Sequence, residues 1–194
     1  MSHPAHPDSE SLRELGESST NVANAWAGAE EYLSQGLVVW TRRLVADDQK
    51  LAVRSAVSVC KLVIDQYPTD GADAHAPKQY LDDMLAKINR WLENPSNTNK
   101  EAVRSALDTT RSLHAWQGHA QSAHFWTLEA VDHASLSVWA GERSSYIVPL
   151  DYGTCSARSA ACVLHALLVT GLTEAQAVDK VVSTVYGVVH GKVD

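Results

Sequence analysis

The amino-acid sequence predicts an all-α protein built from stacked antiparallel helix pairs, about three of them, preceded by an N-terminal helix or helices. The first observation is a repeated frame. Ala52-Val-Arg-Ser-Ala56 recurs unchanged as Ala102-Val-Arg-Ser-Ala106, and a shorter copy, Ala157-Arg-Ser-Ala160, follows. The second observation is the spacing of about fifty residues between copies, which accommodates two helices and two turns. The third is the helical spacing of apolar residues between the copies.

The N-terminal quarter of the chain is predicted to hold an arm and one or two helices. Residues 1–18 are polar and contain two prolines and several acids, so they are predicted to be a mobile arm. Within that arm Ser11-Leu-Arg-Glu14 has the form of a capping box, which indicates the start of a short helix. Residues 21–45 are expected to be helical, either as one helix or as two helices divided at Gly36. Residues 19–194 are predicted to be a single domain, because this length suits one core.

The first predicted pair begins with a helix that Asp47 or Asp48 caps and that runs to Tyr67. Apolar residues recur along this helix at the spacing of one buried face. A polar loop that contains glycine follows. Pro77 suits the first turn of the second helix, which Asn94-Pro95 closes.

The second and third pairs are predicted from capping boxes and from apolar spacing. Thr98-Asn-Lys-Glu101 is a capping box at the start of the second pair, and the last helix of that pair reaches Ala140. The third pair spans 154–170 and 174–190, with another capping box at Thr173-Glu-Ala-Gln176. Because valine is common in 174–190 and is a mediocre helix former, this segment is left open between a helix and a short strand pair.

Charge and cysteine content narrow the range of partners and locations. Acidic residues outnumber basic ones by 23 to 16, which gives a net charge of −7 with histidine neutral. Nucleic acid is not an expected partner, because it needs a lysine- and arginine-rich surface, whereas a basic protein would be attracted. Three cysteines in apolar surroundings are typical of buried thiols in a reducing compartment. With no signal peptide and no apolar run long enough to cross a bilayer, the protein is predicted to be cytoplasmic and to have no membrane partner.

One pair of residues suggests metal chemistry. Glu129 and His133 lie one turn apart on a predicted helix and share a face, which is half of the ligand set found in metal sites of helical bundles. No matching Glu/His set occurs elsewhere in the sequence, so no metal and no cofactor is predicted. Cys162 lies among alanine, valine and leucine, which indicates a core thiol rather than a nucleophile. The sequence therefore favours a protein that is not an enzyme, and it assigns no catalytic residue.

Two features indicate a surface that binds another protein. Trp116 and Trp126 lie in a polar, histidine-rich segment, and tryptophan is a favoured anchor of protein interfaces. Four acids cluster around the loop of the first pair, with only Lys78 opposing them. These acids are Asp70, Asp73, Asp82 and Asp83. Such a cluster would attract a basic surface on the partner.

Over residues 40–170 the chain resembles bacterial immunity proteins. The resemblance is carried by Ala102-Val-Arg-Ser-Ala106, by Ala157-Arg-Ser-Ala160 and by Trp91-Leu92 at the end of the preceding helix. Members of that group are small, cytoplasmic, all-helical proteins with Ala/Arg-rich helix pairs. The resemblance implies a protein that neutralises a toxin by binding and covering it, and it implies no catalytic residues.

The leading hypothesis is therefore a non-enzymatic all-α protein that binds another protein, as an immunity protein that occludes a toxin. A first alternative is a metal-dependent helical enzyme centred on Glu129 and His133. A second is a sensor or scaffold that holds a small ligand between helix pairs. A homodimer is also left open, because the ends of a helical stack need covering and the valine-rich last helix could pair with a second copy.

Overall fold

A computed structural model describes residues 6–19, 31–45, 48–67, 78–112, 122–140 and 151–192. Within these ranges every regular element is an α-helix, which confirms the all-α prediction. The helices are α1 (Ser9–Glu17), α2 (Glu31–Val45), α3 (Gln49–Ile64), α4 (Lys78–Glu93), α5 (Asn97–Ser112), α6 (Ala123–Trp139), α7 (Tyr152–Val169) and α8 (Glu174–Val189).

The three predicted pairs correspond to α3–α4, α5–α6 and α7–α8, and the two helices of each pair are in contact. The more extensive contacts join different pairs, and α7 is central because it packs on α6, α3, α2 and α8. Helices α6 and α7 run antiparallel. Near one end of their contact Trp126 stacks on His165, and further along the Ser159 hydroxyl donates to the Ala130 carbonyl. Buried side chains from all eight helices form one large apolar core.

Helices α1 and α2 cross at two glycines. A Cβ atom added at Gly36 would overlap the carbonyl oxygen of Leu12, and one added at Gly16 would overlap the carbonyl oxygen of Tyr32. The two backbones therefore meet directly, which only glycine permits. Of the two arrangements left open for residues 21–45, a division at Gly36 is excluded, because α2 continues through this residue. Close packing, rather than a helix break, explains the glycine.

Residues 9–17 of the predicted arm form α1 and pack against α2 and α8. The helix starts two residues before the predicted capping box, since the Asp8 carboxylate accepts the Ser11 backbone N–H at 2.9 Å. Leu12 is completely buried, and Arg13 forms an ion pair with Glu174 of α8. The boundary placed at residue 18 between an arm and a domain stays a prediction.

Capping side chains set the starts of the later helices. Of the two aspartates proposed for α3, Asp48 is the N-cap and accepts the Leu51 N–H at 3.0 Å; Asp47 lies outside the described residues. The cap predicted at Thr98 is wrong, because α5 starts one residue earlier and the Ser96 hydroxyl accepts the Asn99 N–H at 3.3 Å.

The open question about the C-terminal segment is settled in favour of a helix. The capping box of Thr173 and Gln176 is present at the start of α8. Valines on one side of α8, such as Val181 and Val185, are fully buried, and the helix packs on α3 and α7. This burial outweighs the modest helix propensity of valine. None of the described helices is both long and apolar enough to cross a membrane.

Candidate functional site

The candidate site is centred on His165 of α7, which contacts side chains of both α2 and α6. The Ser122 hydroxyl caps α6 by accepting the Phe125 N–H at 3.0 Å, and this cap places Trp126 in the first turn. Trp126 is partly buried against the core and stacks on the imidazole of His165, with ring centroids 4.5 Å apart and an interplanar angle of 22°. Phe125 meets the Trp126 ring edge to face at 5.1 Å.

His165 connects all three helices. Its Nε2 atom lies 2.9 Å from the Ser34 hydroxyl of α2, while its ring face lies on Trp126 of α6. Burial lowers the pKa of His165 below its usual value, so the imidazole is neutral at pH 7. In a neutral imidazole Nε2 either accepts the Ser34 hydroxyl proton or, in the other tautomer, donates its own hydrogen to the Ser34 oxygen.

Two exposed apolar side chains lie at one end of α2 and α7. Tyr32 is in the first turn of α2 and Val169 is the last residue of α7, and each is 51% exposed. Helices α2 and α7 run antiparallel, because Ser34 contacts His165 near one end while Arg42 pairs with Asp151 at the other. The first turn of α2 therefore lies beside the last turn of α7. We call this set the aromatic end; its residues are Tyr32, Ser34, Phe125, Trp126, His165 and Val169.

The pair proposed for metal binding lies on one face of α6, as the sequence predicted. His133 Nε2 is 3.9 Å from the Glu129 carboxylate, and both His133 and the adjacent Asp132 are buried. Among the described residues no three His, Cys, Asp or Glu side chains are placed to hold one metal ion. The metal-dependent alternative stays a prediction.

The three thiols lie in the interior and stay protonated near neutral pH. Burial raises the pKa of Cys60 to about 12, although the Ser159 hydroxyl, 3.4 Å from its Sγ atom, acts in the opposite direction. Burial also raises the pKa of Cys155 to about 12, with Arg158 opposing the shift. Burial raises the pKa of Cys162, and the charge of Glu129 adds to that effect. Because a thiol attacks as its thiolate, these groups are suited to packing rather than to nucleophilic chemistry.

Two of the four acids proposed for partner binding are exposed, but each has a lysine partner. Asp82 pairs with Lys78 at 2.9 Å, and Asp83 pairs with Lys87 one turn further along α4. The expectation that only Lys78 opposes the acids is wrong, since Lys87 also does so. The spacing of four residues between Asp83 and Lys87 was the sequence signal for this pair. The local net charge of these four side chains is near zero.

The remaining predicted binding residues, Asp70, Asp73 and Trp116, lie outside the described residues. Of the two tryptophans proposed as anchors, Trp126 is described and belongs to the aromatic end. Sequence reasoning missed the part played by Ser34 and Tyr32. No local pattern could have identified them, because the contact between Ser34 and His165 joins residues 131 positions apart.

The chain matched no protein-family model, no curated protein and no solved structure. A function must therefore be argued from the described side chains. Among these, the aromatic end combines Trp126, a residue proposed from sequence, with exposed apolar groups on α2 and α7.

Proposed function

We propose that this chain is a non-enzymatic helical protein that binds another protein through the aromatic end, and that it acts as an immunity protein by occluding a toxin. The observation that carries the proposal is the exposure of Tyr32 and Val169 at the end of α2 and α7 where His165 stacks on the partly buried Trp126. Among the described residues these two are the large apolar side chains with the greatest exposure. Aromatic and aliphatic groups of this kind supply most of the binding energy at protein interfaces.

The packing of Trp126 suits an anchor residue. Its ring is held by the stack on His165, so little side-chain freedom remains to be lost on binding. The indole combines a large apolar surface with a polar N–H group, which is why tryptophan is frequent at interfaces. We expect Trp126 to lie at the centre of the contact and Tyr32 and Val169 at its edges.

The net charge of this protein determines which kind of partner it attracts. The net charge of −7 favours a basic protein. Asp82 and Asp83 are each paired with a lysine, so we expect them to make a small contribution to the association rate. Asp70 and Asp73 are expected to add to the attraction, as the sequence predicted.

Co-expression tests the role as an immunity protein. The reading frame next to this gene in the source genome is expressed from an inducible promoter, with and without this chain. The expected result is growth arrest by the neighbouring product alone, rescue by this chain, and co-purification of the two proteins. A neighbouring product that arrests growth equally in both strains would contradict the proposal, as would one that never arrests growth.

Surface variants test the role of the aromatic end once a partner is in hand. Tyr32→Ser combined with Val169→Ser is expected to weaken the complex about tenfold to a hundredfold, measured by isothermal titration calorimetry. Tyr80→Ser is the matched control, since Tyr80 is a partly exposed tyrosine on α4. Equal affinities for the double variant and the control would exclude the aromatic end as the binding surface.

A further inference from the structure

We propose that protonation of His165 loosens the attachment of α1 and α2 to the rest of the bundle, so that this end of the molecule opens on mild acidification. Helices α1 and α2 pack extensively on each other. Their contact with the other helices is made chiefly by α2 on α7, with smaller contacts to α3 and α8. The two helices are therefore a unit whose attachment depends largely on one interface.

That interface is apolar in its middle and polar at its ends. In the middle Val38 packs against the small residues Ala157 and Ala161, while Leu37 and Trp40 of α2 join the main core. At one end Arg42 pairs with Asp151 at 2.9 Å. At the other end Ser34 bonds to His165 at 2.9 Å. Mild acid acts on the second of these ends, because histidine is the side chain that ordinarily changes charge between pH 5 and 8.

Protonation changes two properties of His165. Both ring nitrogens then carry a hydrogen, so Nε2 can only donate to the Ser34 hydroxyl oxygen. A positive charge also appears at a site that is mostly out of water. The stack on Trp126 compensates in part, since an aromatic face attracts a cation. Opening the end returns the imidazolium to solvent and removes the remaining penalty.

Among the described residues, the charged groups around His165 do not reverse this effect. On α6 the titratable groups nearest to Trp126 are His124, whose ring meets Tyr67, and Glu129, whose carboxylate lies 3.9 Å from His133 Nε2. On α7 itself the neighbouring titratable groups are the neutral thiol of Cys162 and the cation Arg158. On α2 the described neighbours, Ser34 and Gln35, do not titrate. Burial therefore dominates, and the pKa of His165 falls below the value of 6.5 for a solvated histidine.

The direction of the pH dependence follows from this order of pKa values. At pH 7.5 and above both the closed and the open forms carry a mostly neutral imidazole, and the attachment has nearly its full stability. As the pH falls through 6.5 the open form takes up a proton first, so opening becomes more favourable until the closed form also protonates. The ion pair of Arg13 with Glu174 is unaffected in this range, because Arg13 holds the pKa of that carboxyl below its usual value.

Hydrogen exchange followed by mass spectrometry tests the proposal on the full chain at pH 7.5 and 5.5, with rates corrected for intrinsic exchange. The opening of α2 is expected to increase at pH 5.5 by up to about tenfold relative to α3 and α6, the limit set by an open-form pKa of 6.5. His165→Gln should remove this difference between the two pH values. Ser34→Ala should keep it, because burial of the imidazole is the cause and the hydrogen bond is secondary.

His190→Gln is the matched control, since His190 lies past the end of α8 and its Nδ1 atom contacts the Tyr186 carbonyl; it should leave the response of α2 intact. An increase that is equal in α2, α3 and α6, or one that persists in His165→Gln, would overturn the proposal. If His165→Gln does not fold, the titration of the His165 ring protons is followed by NMR in the unaltered chain. A pKa at or above 6.5 in that titration would also overturn the proposal.

Discussion

Two copies of the same five residues, Ala-Val-Arg-Ser-Ala, lie in different surroundings in α3 and α5. In both copies the valine is fully buried and the arginine is exposed, so each frame points the same way. The serine differs, because Ser55 is 1% exposed whereas Ser105 lies at the surface. The alanines of the α3 copy are fully buried, and those of the α5 copy are only partly so. Local sequence thus determines which side chains of the frame face the core, and neighbouring helices determine how deeply they are buried.

The neighbours of the two helices explain the difference. Helix α3 packs on α7, α6, α8 and α4, whereas α5 packs on α4 and α6. A helix covered on several sides needs small residues around most of its circumference, since large ones would keep its neighbours apart. A helix at the edge of the bundle needs them only on one side. The same frame is therefore a core element in α3 and a boundary element in α5.

Enlarging the last alanine of each frame should give the largest difference between the two copies in free energy of unfolding. Ala56→Leu inserts three carbon atoms at a fully buried site and should lower the free energy of unfolding by about 3 kcal/mol, because close-packed interiors do not yield. Ala106→Leu, at a partly exposed site, should change it by less than about 1 kcal/mol. Urea unfolding followed by circular dichroism measures both values. Similar losses in the two variants would show that α5 is as tightly enclosed as α3.

Truncating the buried valine should lower the free energy of unfolding by similar amounts in the two copies. Val53 and Val103 are both fully buried, so Val53→Ala and Val103→Ala should each lower the free energy of unfolding by about 2 kcal/mol. The same urea titrations apply, with the slope of the transition checked for constancy. A loss at Val103 below half of that at Val53 would mean that the edge position of α5 reduces the burial of the inward side as well.

Removing the serine hydroxyl should stabilise the protein in the α3 copy and have little effect on its stability in the α5 copy. The Ser55 Oγ atom is buried and has no hydrogen-bond partner within the described part of the chain. Ser55→Ala should therefore raise the free energy of unfolding by about 1 kcal/mol, because the hydroxyl no longer has to be desolvated. Ser105→Ala, at an exposed position, should change it by at most about 0.5 kcal/mol. A destabilised Ser55→Ala variant would instead indicate that an ordered water bonds to this hydroxyl.

As in the two frames, local features of the fold were predictable from the sequence, whereas features set by neighbouring helices were not. The helical class and the starts of α3 and α8 follow from apolar spacing and capping residues, which are local properties. Helix α7 starts two residues before the predicted Thr154, because Asp151 caps it. The sequence leaves open whether a helix breaks at Gly36, because a glycine that breaks a helix and one that permits a close crossing look alike in sequence. The difference appears only when α1 is placed against α2.

The candidate site was predictable to a smaller extent. Trp126 was identified from residue type and from its polar sequence context. Its stack on His165 and the bond from His165 to Ser34 depend on three helices that are distant in sequence. The sequence analysis names Lys78 as the only lysine that opposes the acidic cluster, whereas Lys87 also lies at helical spacing from Asp83. Long-range packing therefore limits prediction of the site more than it limits prediction of the helices.

Substituting the arginine of each frame should have the smallest effect on stability, and it tests one specific contact. The guanidinium carbon of Arg104 lies 5.6 Å from the centroid of the Trp139 ring, at the contact of α5 with α6. Arg104→Gln should lower the free energy of unfolding by about 0.5 to 1 kcal/mol, because a surface cation over an indole contributes about that much. Arg104→Lys should retain part of the contribution, and Arg54→Gln, in the frame of α3, should have an effect of at most about 0.3 kcal/mol. A double-mutant cycle of Arg104→Gln with Trp139→Phe isolates the pair. A coupling energy of zero would mean that the outward arginine of this frame serves solubility alone, and that the two copies differ only in how deeply their small residues are buried.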